Sequence, residues 1–127
     1  MEEGLIFKDL SYRICGILYA VHNELSRYCR EKQYADLLEF KLKLLGIEYK
    51  REFKVGSSGN IIDFIIENRI ILELKAKKIL LKDDYYQLQR YLQAQNIKLG
   101  LLVNFRSKYL KPIRVIRIDT DNRRKFI

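Results

Sequence analysis

The chain has 127 residues, 48% of them hydrophobic and 32% charged, which suits one folded domain over 1–127 with a continuous core and excludes a disordered chain. No apolar run approaches a membrane span, and the acidic start MEEGLIFKDL lacks a signal-peptide pattern, so the cytoplasm is the expected location. The net charge of +9 is uneven: residues 1–84 carry 15 Lys/Arg against 14 Asp/Glu, whereas 85–127 carry 10 against 2, leaving either a solubilising surface or one for a polyanion such as nucleic acid.

Residues 5–25 read as a first helix, with Ile14, Ile17, Leu18, Val21 and Leu25 recurring at three- and four-residue spacing. Gly16 inside it points to a close helix contact. Cys15 sits among apolar residues and reads as a buried small hydrophobe; with Cys29 it is too little for a zinc site or a disulfide framework. Ser26 is placed to cap a second helix over 30–45, whose inner side would be Tyr34, Leu37, Leu38, Leu42 and Leu45, and Gly46 ends it.

Residues 48–55 read as a strand, followed by the turn Gly56-Ser57-Ser58-Gly59-Asn60. Residues 61–66 and 70–76 read as a hairpin. Asp83 or Asp84 would cap a third helix, YYQLQRYLQAQ, in which Leu88, Tyr91 and Leu92 face inward. Residues 98–104 form an apolar run of strand length, and after Pro112 residues 113–118 alternate basic and apolar side chains as an outer strand does. The tail from 118 reads as frayed and basic. The order α-α-β-β-β-α-β-β implies a mixed sheet flanked by helices, with the 70–76 and 98–104 strands parallel across a helical crossover.

The hairpin DFIIENRIILELKAK carries Asp63, Glu73 and Lys75 among residues that are apolar on both faces. Glu73 and Lys75 share one face. A three-residue loop at 67–69 pairs Ile66 with Ile70 and sets Asp63 opposite Glu73; a two-residue loop would set it opposite Leu74. Two carboxylates in a buried sheet repel and lose hydration. Either Lys75 satisfies Glu73 in an ion pair at a sheet edge, or a divalent cation holds the two carboxylates together.

An Asp, a spacer and Glu-x-Lys on a hairpin, followed by a helix, resembles the core of the PD-(D/E)xK nuclease superfamily. VHNELSRYCREKQYADLLEFKLKLLGI, IIDFIIENRIILELKA and YYQLQRYLQAQNIKLGLLVNF, in that order, resemble its small G-x-x-E-x-x-Y proteins over about residues 10–118. The name-giving motif here is Tyr28-x-x-Glu31-x-x-Tyr34, with tyrosine for glycine, and Ile62 stands where the superfamily name has proline. The resemblance implies a restriction-endonuclease-like fold and Mg²⁺- or Mn²⁺-dependent hydrolysis of phosphodiester bonds in DNA. Asp63, Glu73 and the Leu74 backbone carbonyl would hold the metal, and Glu31 would complete its shell. Without the resemblance, Glu31 reads as a helix carboxylate pairing with Arg27 or Lys32.

Lys75 would orient or deprotonate the attacking water and neutralise the phosphate. Gln87 would lie beside the metal, with Tyr91 on the same helix face, as a nucleic-acid contact or simply core; Gln89 reads as surface. His22 reads as a packing or hydrogen-bonded histidine. Arg90, Arg106, Lys108, Lys111, Arg114 and Arg117 are the candidate phosphate contacts, and Tyr85, Tyr86 and Tyr109 are candidates for stacking on unpaired bases. Nothing reads base sequence, so action directed by structure or by ends is expected. So small a domain leaves room for a homodimer. The competing readings are a nucleic-acid-binding or accessory protein without turnover, and a protein-interaction subunit whose basic tail meets an acidic partner.

Overall fold

A computed structural model describes residues 6–119. In chain order the elements are α1 (Lys8–Leu25), α2 (Glu31–Leu44), β1 (Tyr49–Lys54), β2 (Ile61–Ile66), β3 (Ile70–Lys75), α3 (Lys82–Gln95), β4 (Leu99–Asn104) and β5 (Ile113–Ile116). The strands form one five-stranded sheet in sequence order. Only β3 and β4 run parallel, joined by α3; the other neighbours are antiparallel. The α/β order and mixed sheet expected from the sequence are what forms.

The sheet buries both faces, as its apolar strands require. Against one face α1 and α2 pack Ile14, Leu18, Tyr34, Leu38 and Leu42 onto Phe64, Ile66, Leu72 and Val103. Against the other, α3 packs Leu88, Tyr91 and Leu92 onto Ile65, Ile71 and Leu102. Every residue of β4 is buried. Gly100 is needed there because a Cβ would meet Leu88 Cδ1 and Cδ2 at 2.9 Å, and Leu88 is fully buried. Gly100→Ala therefore destabilises the fold by about 1–3 kcal/mol, readable as a lower midpoint in urea unfolding.

Several local expectations are corrected. Ser26 does not cap α2: it closes α1 with φ 60° and donates its N–H to His22 O. The start of α2 is closed instead by Gln33, whose Oε1 accepts the Arg30 N–H at 2.9 Å. Gly16 has nothing within 4 Å of a built Cβ, so it marks no close helix contact. Leu45 is 55% exposed; Ile47, beyond the Gly46 turn at φ 68°, takes the core position. Cys15 is only half-buried, and burial raises its thiol pKa. Neither Asp83 nor Asp84 is the N-cap of α3; Leu81 is. Asp84 caps from the third helical position, accepting the Leu81 N–H at 2.8 Å.

Gln89 is not a surface residue. It is buried, donating Nε2 to Ile116 O at 2.8 Å and accepting the Ile118 N–H at 3.2 Å, and Gln93 donates to Ile118 O at 2.9 Å. These bonds tie α3 to the outer strand and hold Ile118, where fraying was expected to begin. Asp119 pairs with Lys98 and Arg117. The rest of the expected tail, 120–127, lies outside the described residues, as does the predicted helix start at residue 5. Among the described residues, no helix is long and apolar enough to cross a membrane.

Candidate active site

The hairpin turn decides the site. Glu67 and Asn68 both take positive φ, 50° and 55°, and the Arg69 N–H donates to Ile66 O at 2.9 Å. The turn thus closes over two residues, and Arg69 is an extra one before pairing begins. The resulting register is Ile66↔Ile70, Ile65↔Ile71 and Phe64↔Leu72. One step further, Asp63 and Glu73 face each other, as the three-residue reading expects.

At that step the ladder gives way to side chains. Asp63 donates its backbone N–H to Glu73 Oε2 at 2.8 Å, and Leu74 donates its N–H to Asp63 Oδ2 at 2.8 Å. Each carboxylate therefore accepts a backbone N–H from the other strand of the hairpin. On the other side of β2, Glu52 takes φ 53° and interrupts the β1–β2 pairing between Arg51↔Phe64 and Phe53↔Ile62. A non-glycine residue at positive φ within a strand is strained and tends to mark a functional position. Nothing in the residues flanking Glu52 announces that conformation.

The electrostatics follow from burial. Glu73 is 3% exposed. Loss of hydration, then the neighbouring Asp63, push its carboxyl up to about 8, against the opposing pull of the Asp63 N–H and Lys75. Loss of hydration also pushes Asp63 up, to about 6, with Glu31 adding to the rise and the Leu74 N–H, Lys75 and Arg51 opposing it. Burial, then Glu73 and Asp63, raise the Tyr91 hydroxyl to about 12.

Lys75 does not form the edge ion pair with Glu73. It donates Nζ to Gln87 Oε1 at 3.1 Å and lies 3.7 Å from Asp84 Oδ1. Gln87 thus joins the patch from α3. Asp84, read from the sequence only as a helix cap, also joins it and bonds Lys77 Nζ at 2.9 Å. Burial alone would raise Asp84, but the Leu81 N–H, Lys77 and Lys75 hold its carboxyl below the usual range.

Glu31, the first residue of α2, lines a cavity of about 210 Å³ together with Arg51, Glu52, Asp63 and Leu74. It makes neither of the ion pairs that its sequence context offered; Lys32 pairs with Asp36 instead, at 2.9 Å. Glu31 is near enough to Asp63 and Glu73 for its charge to raise both carboxyls, though among the described residues no group of three His, Cys, Asp or Glu side chains is arranged to hold one ion. Arg51, another residue that the sequence did not single out, is fixed by Asp36 at 2.8 Å and Glu39 at 2.9 Å.

The donor set suits a hard divalent cation. Asp63 and Glu73 each commit one oxygen to a backbone N–H, leaving the second without a hydrogen-bond partner among the described residues. In a strand, the N–H and C=O of one residue point to the same side, so the Leu74 carbonyl faces the same opened gap. Oxygen ligands only, on a buried Glu73 and a half-buried Asp63 that repel, fit a hard divalent cation.

The remaining candidates divide. Arg90, Lys108 and Lys111 are exposed. Tyr109 is 80% exposed and Tyr86 45%, while Tyr85 packs against the α3-side core. Tyr91 is 3% exposed, its hydroxyl donating to Ile61 O at 3.4 Å, so it is core and no nucleic-acid contact. Arg114 is a structural tie, donating to Ser11 Oγ and Ile6 O at 2.9 Å. Arg117 is paired with Asp119 at 2.7 Å. His22 lies 2.9 Å, through Nε2, from Ser107 O and links α1 to the segment after β4.

Comparison with known proteins agrees with this geometry. The family model of the PD-(D/E)XK nuclease superfamily matches residues 8–117, from the start of α1 to just beyond β5. No curated protein matches the chain, and no solved structure does. With nearly the whole described fold inside that match, the chain belongs to the PD-(D/E)XK nuclease superfamily.

Proposed function

We propose that this chain is a metal-dependent nuclease of the small G-x-x-E-x-x-Y group, hydrolysing phosphodiester bonds in DNA and directed by structure or ends, not by sequence. The observation that carries the reading is the reciprocal bonding of Asp63 and Glu73 across the opened hairpin, with Lys75 beside them on β3. Two adjoining carboxylates with raised pKa values, Glu73 buried and Asp63 half-buried, are a costly arrangement for a merely structural sheet.

In this reading Asp63, Glu73 and the Leu74 carbonyl would hold Mg²⁺ or Mn²⁺, and Glu31, on the same cavity, would complete its shell directly or through water. The bound ion would polarise the phosphate and lower the pKa of a coordinated water. Lys75 neutralises charge on the phosphate oxygens as the water oxygen bonds to phosphorus and the ester P–O bond breaks. Gln87, hydrogen-bonded to Lys75 Nζ, keeps that ammonium aimed along the strand face. Arg90, Lys108 and Lys111 hold flanking phosphates, which fixes position without reading bases.

The test is incubation of purified protein with single-stranded, duplex and branched DNA, and with RNA, with and without Mg²⁺ or Mn²⁺, beside an Asp63→Ala/Lys75→Ala variant. Metal-dependent cleavage of DNA that the variant lacks is the expected result. Binding without cleavage across the whole panel would replace the enzyme with a nucleic-acid-binding protein on the same fold.

A further inference from the structure

Two arginines far apart in the sequence hold each other beside one exposed tyrosine. Arg27 donates Nε to the Arg106 carbonyl at 2.9 Å, and Arg106 donates Nε to the Arg27 carbonyl at 3.1 Å. Their guanidinium carbons lie 5.1 and 5.7 Å from the centre of the Tyr28 ring. Tyr28 is 73% exposed, so most of its ring is open to solvent. Neither arginine pairs with a carboxylate among the described residues, and the reciprocal bonds use only Nε, leaving the Nη groups available.

The surroundings hold this group in place before any ligand arrives. The Tyr34 hydroxyl donates to Ser26 O at 2.6 Å and accepts the Cys29 N–H at 3.2 Å, pinning the 26–29 segment from both ends. The Tyr34 ring stacks on Phe105 at 4.2 Å, and Phe105 directly precedes Arg106. Such preorganisation reduces the ordering entropy that a ligand must overcome.

The group is also joined to the candidate active site along the chain at two points. Arg106 follows by two residues Asn104, the register partner of Lys75. Tyr28 precedes by three residues Glu31, which lines the cavity with Asp63 and Leu74. An open aromatic ring beside two fixed guanidinium groups matches a nucleotide whose base is unpaired: the base stacks on the ring or on a guanidinium plane, and the phosphate takes the Nη donors. A paired base has its faces covered by its neighbours in the duplex and cannot stack there.

We infer that Arg27, Tyr28 and Arg106 anchor an unpaired nucleotide beside the cleavage site and so direct the protein to single strands or frayed ends. This rests on the nucleic-acid reading of the site. The test is fluorescence anisotropy in EDTA, where no turnover occurs, with fluorescein-labelled oligothymidylate, the same oligomer with abasic positions, and a blunt duplex of equal length. Tyr28→Ala is expected to weaken oligothymidylate binding about tenfold. Duplex and abasic binding should stay unchanged, and Tyr28→Trp should retain the wild-type affinity for oligothymidylate. Equal loss on single strand and duplex, no loss on either, or no wild-type binding would overturn the anchor. Tyr28-dependent binding without cleavage of any substrate would remove the nuclease reading and leave the anchor standing. Cleavage indifferent to Tyr28 and to strandedness would do the reverse.

Discussion

Asp63→Asn lowers metal-dependent cleavage by about a thousandfold or more while leaving the fold intact. Asparagine keeps an amide oxygen to accept the Leu74 N–H, which now bonds Asp63 Oδ2 at 2.8 Å, so the strand geometry survives. What is lost is one of the two carboxylates proposed to hold the ion. Lys75→Met is expected to lose about a hundredfold, because the charge on the phosphate in the transition state would go unanswered. Glu31→Gln should lose about tenfold, since Glu31 is exposed, lies across the cavity from Asp63 and is assigned an outer role. Single-turnover rates at saturating Mn²⁺ measure all three. Equal losses for Glu31→Gln and Asp63→Asn would overturn the division into direct and outer groups.

Glu73→Gln stabilises the metal-free protein at pH 8 by roughly 2 kcal/mol, equivalent to a rise in Tm of several degrees. Glutamine retains an oxygen for the Asp63 N–H and removes the buried charge. The direction with pH follows from the raised values of about 6 for Asp63 and about 8 for Glu73. A carboxyl whose folded pKa exceeds its unfolded value favours folding while protonated. Its contribution is full below the unfolded value near ~4 and is lost as pH rises through the folded value. The metal-free wild type should therefore lose stability between about pH 5 and pH 9, and Glu73→Gln should flatten that slope. Adding Mg²⁺ or Mn²⁺ at pH 8 should restore stability to the wild type and much less to the variant, because a ligand of the folded state stabilises by mass action. Thermal melts across pH, with and without metal, decide this without any activity measurement. An unchanged slope in Glu73→Gln would mean that the carboxylate pair is not under electrostatic strain.

The elements most visible in the sequence were those set by local periodicity and turn chemistry. Ile14, Leu18 and Val21 repeat at helical spacing and line the core. Gly46 takes the positive φ that a helix end asks for. The six-residue apolar run of β4 is buried throughout. Local caps were less legible. Asp84 looks like an N-cap because aspartate commonly is one, yet it acts from inside the first turn, and Lys77, brought back by the fold, holds it there. Gln89 looks like a surface residue because glutamine usually is, yet its amide finds backbone partners at the end of β5 and just past it, 27 and 29 residues away.

The identity and spacing of Asp63, Glu73 and Lys75 were determined by the sequence alone, along with the apolar context that makes two carboxylates there expensive. Their meeting was decided by tertiary structure. The extra residue at Arg69 sets the register, and the opening of the ladder turns two facing side chains into reciprocal backbone acceptors. Gln87 reaches Lys75 only because α3 crosses back over the sheet to make β4 parallel to β3. Glu52 and Arg51 carry no motif at all, and the motif position of Tyr28 gives no sign that Arg27 and Arg106 meet beside it. Backbone strain, ion pairing across elements and bonds spanning 79 residues bring them into place, and linear spacing does not encode such distances.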